Sequence, residues 1–322
     1  MASVNRDLFL LDLEYKPQAL EALADSIETS NPWASSGLAR GSRILFLGMG
    51  SSNYAAQVSA ARLRKAGMNA YAELASSDLL PAASPDLIVV PISASGASLE
   101  TLSSLDPYMG ISRIVALTNS VDSALVGKSD AAIDLIAGME RGGIACRTFQ
   151  HTLALLMALE SHLFESDRSL VVDAIRKSSR ATSDVLARRG EWLDELHSVL
   201  CGDSGGIHVA GPARRLSSAQ QAALMFREGP RIGATASETG EWSHVDVYLT
   251  KNSDYRMLLF AGSPWEAQLF DWTTQRGCKV ISVGADLPGA QAAIRFANDQ
   301  DEDVRLLTEV IVAELLAWRA WD

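Results

Sequence analysis

Short apolar runs separated by stretches with helical spacing dominate the chain. After an amphipathic segment near 17–28 and a turn at SNPWASSG, RILFLG (43–48) reads as a buried strand. NYAAQVSAARLRKAG (53–67) then repeats apolar residues at helical spacing until Gly67 ends the pattern. NAYAEL (69–74), DLIVVPIS (86–93), RIVALTN (113–119) and AAIDLI (131–136) follow as strands, with helices near 97–107 and 146–165. The strand runs do not alternate apolar with polar, which is the pattern of a parallel sheet covered on both faces.

A charged helical stretch over 167–200 leads into a second series of the same kind: strands over 205–211, 231–237, 255–262 and 279–284, helices over 214–229 and 264–277, and a last helix over 303–322. Two halves of similar length, each led by a strand, predict an α/β chain of two domains, each a doubly wound, flavodoxin-like parallel sheet flanked by helices. The division falls at an N-terminal segment with the first domain in 1–166, and a linker helix with the second domain in 167–322.

With 322 residues, 48% of them hydrophobic, the chain has enough apolar material for two cores. A formal charge of −11 argues against a nucleic-acid partner, which needs a basic surface. Cys146, Cys201 and Cys278 lie far apart with no metal-ligand spacing, so they read as buried thiols, and neither a metal nor another cofactor is expected. No signal-peptide pattern opens the chain and no apolar run approaches a membrane span, so the expectation is a soluble, cytoplasmic protein without a membrane partner.

Two turns carry candidate chemistry. The first strand runs into GMGSSNYAA, where Gly48 and Gly50 bring backbone N–H groups towards an anion at the start of the next helix. A dinucleotide loop is one reading, with Glu73 near the position of a ribose-binding acid. Asn53 stands where that motif needs its third glycine, and the hydroxyls of Ser51 and Ser52 suit a terminal phosphate better. The third strand ends in SASGAS, where Ser93, Ser95 and Ser98 either cap the following helix or add hydroxyl donors to the same crevice.

These residues resemble the phosphate loops of the sugar isomerase (SIS) domain family, in which a Gly-Ser turn and a Ser-x-Ser-Gly-x-Ser/Thr turn hold a sugar phosphate. AGMERGGIACRTFQHTLALL (137–156) and AALMFREGPRIGATASETGEWSHVDVYL (222–249) are similar to segments of the two SIS domains of glucosamine-6-phosphate synthases. The resemblance implies that Ser52, Ser93, Ser95 and Ser98 bind phosphate, that Glu228 shuttles the proton and that His244, sixteen positions on, opens the sugar ring. Arg141 and Arg147 become candidate stabilisers of an enediolate. It also implies a homodimer with shared active sites, because the family's histidine commonly reaches the neighbouring subunit's site.

The sequence departs from the synthases at several points. Ala94 replaces a glutamine inside the serine turn, Ala145 replaces a substrate-contacting serine, and Ser243, Val245 and Asp246 surround His244 where the synthases carry Lys-His-Gly-Pro. The glutaminase domain and the lysine-bearing tail have no counterpart in a sequence that closes on LAWRAWD. The expectation is therefore a phosphosugar aldose–ketose isomerase working through a cis-enediol(ate), with deglycase or deaminase action on an aminated sugar phosphate and a non-catalytic sugar-phosphate sensor as alternatives.

Overall fold

The computed structural model describes residues 4–201, 206–251 and 254–321. Gly205 and Asp322, at the ends of two predicted elements, lie outside them. The chain opens with α1 (Arg6–Glu14), whose N-cap Asn5 accepts from Leu8 N, and continues past Tyr15 into α2 (Lys16–Thr29). β1 (Arg43–Gly48), α3 (Ser51–Lys65), β2 (Asn69–Leu74) and β3 (Leu87–Ile92) follow close to their expected bounds. Next come α4 (Leu99–Ser104), β4 (Arg113–Thr118), α5 (Ala124–Gly127), β5 (Ala131–Asp134) and α6 (Arg147–Leu163).

The bridging helix is two, α7 (Arg168–Ala187) and α8 (Arg189–Leu200), parted at Arg188, whose guanidinium donates to Asp184 and to the Arg295 carbonyl. Beyond it lie β6 (Ile207–Gly211), a 3-10 turn at Ala213–Arg215, α9 (Leu216–Glu228), β7 (Ala234–Glu238) and α10 (Thr239–Trp242). After a 3-10 turn at Asp246–Lys251, the chain forms β8 (Arg256–Phe260), α11 (Glu266–Gln275), β9 (Lys279–Val283) and β10 (Ala292–Ile294). The expected terminal helix breaks at Glu309 into α12 (Glu302–Thr308) and α13 (Val310–Arg319). Among the described residues no helix is long and apolar enough to cross a membrane.

The elements build two compact units. One comprises Gln18–Met139 and Arg147–Arg176; the other takes the described residues of Met1–Pro17, Glu140–Cys146 and Lys177–Asp322. The first unit contains a five-stranded parallel sheet in the order β2-β1-β3-β4-β5, and the second a five-stranded parallel sheet in the order β10-β9-β8-β6-β7. Numbered within each sheet, both read 2-1-3-4-5. That order has a switch point: from its first strand the chain leaves once to one side and once to the other, opening a crevice at the carboxyl ends of the first and third strands.

Apolar packing fixes each sheet. Leu45, Leu47, Val89, Leu105, Tyr108 and Ala116 share the core of the first unit. Trp242, Tyr255, Met257, Leu259, Leu269 and Val280 share that of the second. The second unit also ties its chain ends together. Lys16 Nζ pairs with Glu314 on α13, both side chains fully buried, and Arg6 Nε donates to the Trp318 carbonyl at 3.2 Å. Burial raises the Glu314 pKa against the pull of Lys16. On the other side of α1, Gly142 N donates to Asp12 Oδ2 at 2.7 Å and Asn5 N to the Gly142 carbonyl at 3.0 Å. This fixes the 140–146 segment against α1.

Candidate active site

The two serine turns leave neighbouring strands of the first sheet. β1 pairs with β3 in register Gly48 to Ile92, so Met49 and Ser93 start their turns side by side at the switch point. No side chain caps the first turn of α3, and Ser51 and Ser52 are half-buried with hydroxyls that take no protein partner among the described residues. Ser52 N bonds the Met49 carbonyl at 3.2 Å, and the positive end of the helix dipole with the N–H groups of Ser51 and Asn53 is left to face an anion. Ser93 is 7% exposed, and its hydroxyl is likewise unpaired among the described residues.

The second turn is held by its backbone. Ser93 N bonds the Leu117 carbonyl at 3.1 Å, Asn119 N the Ala94 carbonyl at 3.1 Å, and Leu125 N the Gly96 carbonyl at 3.0 Å. Gly96 has φ +62°, and a Cβ there would lie 2.0 Å from Ser123 Oγ and 2.4 Å from Ser123 Cβ, so no other residue fits. Ser123 Oγ is buried without a partner beside the turn. It belongs to the polar stretch after β4, which the two-loop reading passes over although its Asn-Ser-rich composition marks it.

Ser98 has the capping role that was the plainer of its two readings: its Oγ accepts from Thr101 N at 3.3 Å. It also donates to Glu100 Oε2 at 2.9 Å. Ser95 is exposed and accepts from Ala97 N at 3.3 Å. Glu100, with its own backbone N–H and Ser98 as donors, is held below the usual carboxylate pKa. It borders a cavity of about 580 Å³, lined also by Ser76, Ser77, Asp78, Ser103 and Tyr108.

Glu228 and His244 belong to the other unit. Glu228 ends α9, where its side chain keeps contact with solvent inside a crowded setting. Desolvation raises its pKa, Arg227 opposes the rise, and the charge of Glu140 adds to it. Glu140 is a second carboxylate that motif reading passes over. Its Oε1 accepts from Cys146 N at 2.7 Å and closes the 140–146 segment, which Gln221 of α9 holds by donating to the Ala145 carbonyl at 2.9 Å.

His244 is exposed in the turn after α10. The turn is anchored on both sides: Trp242 Nε1 donates to Tyr255 Oη at 2.8 Å, and the Ser237 hydroxyl bonds Asp246. Glu238 caps α10 by accepting from Gly240 N and Glu241 N. Of the two arginines, Arg141 is exposed, whereas Arg147 is 2% exposed and donates to the Ala137 and Met139 carbonyls within its own unit.

Comparison with known proteins agrees with this architecture. The SIS domain family model matches residues 37–161. The chain is 29% identical over 256 residues to the isomerizing glutamine–fructose-6-phosphate aminotransferase of Aeropyrum pernix, covering 75% of this chain and 41% of that protein. The chain spans less than half the length of such curated relatives. The C-terminal domain of glucosamine-fructose-6-phosphate aminotransferase from Francisella tularensis superposes with a TM-score of 0.80 at 18% identity, covering 98% of this chain and 97% of its own. Tagatose-6-phosphate ketose/aldose isomerase from Escherichia coli gives 0.77 at 15% identity, covering 97% of this chain and 92% of its own. At such identities the structures establish the shared fold. The part of the chain that matches the SIS domain family is thus residues 37–161, the region that carries both serine turns.

Proposed function

We propose that this protein is a phosphosugar aldose–ketose isomerase built from two doubly wound SIS domains, divided near residue 166 and acting as a homodimer in the cytoplasm. The observation that carries the reading is the pair of serine turns side by side at the switch point, with unpaired hydroxyls at Ser51, Ser52 and Ser93 and an uncapped helix start. In this reading they hold the phosphate with Ser95 and Ser98. Glu228 removes the proton next to the carbonyl and returns it to the neighbouring carbon. A carboxylate with a raised pKa suits both steps, because one group must be base and then acid near neutral pH.

His244 opens the ring in the partner copy's site. Its exposure, flanked by exposed Val245, Tyr248, Leu249 and Trp265, supports delivery across an interface. Arg141 is the candidate that is open to an enediolate, while Arg147 holds the turn before it.

Solvent-deuterium exchange at C2 of hexose and pentose phosphates tests the assignment. Glu228→Gln should lower exchange by about 10²–10⁴-fold while phosphate binding persists; unchanged exchange would sink it. The acidic cavity beside Ser98 favours one second reading. Asp78 and Glu100 would suit the cation of an aminated sugar phosphate, making the protein a deglycase or deaminase. Release of amine or ammonia from such a substrate separates the two.

A further inference from the structure

The switch point of the second sheet is finished with charge. β6 pairs with β8 in register Ala210 to Leu259, so the turns after these strands, 212–215 and 261–265, begin side by side. Gly262, at φ +122°, sits where three guanidinium groups converge. A Cβ there would lie 2.8 Å from Arg214 Nη2, 3.0 Å from Arg305 Nη1 and 3.4 Å from Arg215 Nη2. The N–H groups of Gly262 and Ser263 both donate to Glu266 Oε1, the latter at 2.9 Å. One carboxylate oxygen thus sits in a nest of two backbone donors, at the edge position where the first sheet presents SASGAS.

The surrounding acids complete a neutral cluster. Arg214 makes a two-pronged bond to Glu302, at 2.6 Å and 2.9 Å, and Arg215 pairs with Glu302 and with fully buried Glu309. Arg305 reaches Glu302 at 3.5 Å and the Gly284 carbonyl at 2.8 Å. Arg214 and Glu302 are each more than 40% solvent-exposed, and Gly262 and Glu266 are half-buried, so the cluster opens to solvent. Two backbone donors and a forked guanidinium are the groups that recognise a phosphate.

We propose that the carboxyl edge of the second sheet is a second phosphate-binding site, held closed by the Glu266 carboxylate. An incoming phosphate displaces Glu266 from the Gly262 and Ser263 amides and takes one prong of Arg214 from Glu302. The inference stands on the second unit alone and does not depend on Glu228 or on the serine turns.

Titration calorimetry of the full chain with inorganic phosphate tests it, in a Ser51→Ala, Ser52→Ala, Ser93→Ala, Ser95→Ala, Ser98→Ala background that strips the first edge of its hydroxyls. Adding Glu266→Ala should tighten binding at least about tenfold, the worth of one charge-assisted hydrogen bond. The gain should saturate at one phosphate per chain and disappear on adding Arg214→Ala. Glu266→Gln keeps the side chain's size and should move affinity in the same direction, which covers a fold lost in the alanine variant. Equal gains for inorganic phosphate and fructose 6-phosphate identify the phosphate group itself as the recognised element. A gain confined to the sugar phosphate assigns the site to an organic ligand. No gain for either probe, or binding indifferent to Arg214→Ala, overturns the proposal.

Discussion

The two sheets wind their strands in the same order and finish the same edge in opposite ways. The first presents hydroxyls without partners and a helix start without a cap; the second presents arginines already paired with glutamates. Topology makes the crevice in both, and side chains decide whether a ligand or the protein itself fills it. An edge filled from within adds rigidity, whereas hydroxyls without partners at an edge add little to the stability of the fold.

The sharpest way to break this contrast is Arg215→Leu. It leaves Glu309 buried and unpaired, and should cost about 3–5 kcal/mol in urea unfolding. Replacing Glu309 by leucine as well should recover most of the loss. A cost below about 1 kcal/mol would mean that charge pairing does not hold the second edge. Next comes Gly96→Ala, with a cost of about 2–4 kcal/mol from left-handed backbone and a Cβ driven into Ser123. Gly262→Ala should cost less, because the atoms in its way are the ends of flexible arginines.

Ser93→Ala should shift stability by no more than about 0.5 kcal/mol. It should also weaken phosphate binding about tenfold by calorimetry. The smallest effect is expected at Glu228. Its pKa is raised in the folded chain, so the fold holds that proton more tightly than the unfolded chain does. The group therefore favours folding below its unfolded pKa, and that contribution is lost as pH rises through the folded value. Glu228→Gln should raise the thermal midpoint at pH 8, with the gain fading towards pH 4; a midpoint lowered at pH 8 would contradict the raised pKa.

Much of this architecture was legible in the sequence because a buried parallel strand is an unbroken apolar run. RILFLG and NAYAEL coincide with β1 and β2 to the residue. β10 escaped because Ala292–Ile294 is too short to carry any period. α1 escaped because its exposed Leu11 and buried Asp12 invert the amphipathic pattern, leaving Asn5 as its clearest signal. The terminal helix reads as continuous because nothing local marks its break. Glu309, fully buried at that break, answers to Arg215, 94 positions away.

The serine turns were visible because their chemistry is local. The charge cluster of the second edge was not, because Arg214, Arg215, Gly262, Glu266, Glu302 and Glu309 come together only in the fold. Acids at 309 and 314 inside LLTEVIVAELLAW were a signal in plain view: a carboxylate in an apolar helix needs a buried cation, and Arg215 and Lys16 supply them.

The bond between Lys16 and Glu314 bears on how the protein is made. Lys16 opens α2 and Glu314 lies on α13, 298 positions further on, so during synthesis that lysine stays in water until α13 has emerged. The unit centred on the first sheet can close while translation continues. The other can be completed only once α13 has been made, so its buried ion pair is among the last contacts to form.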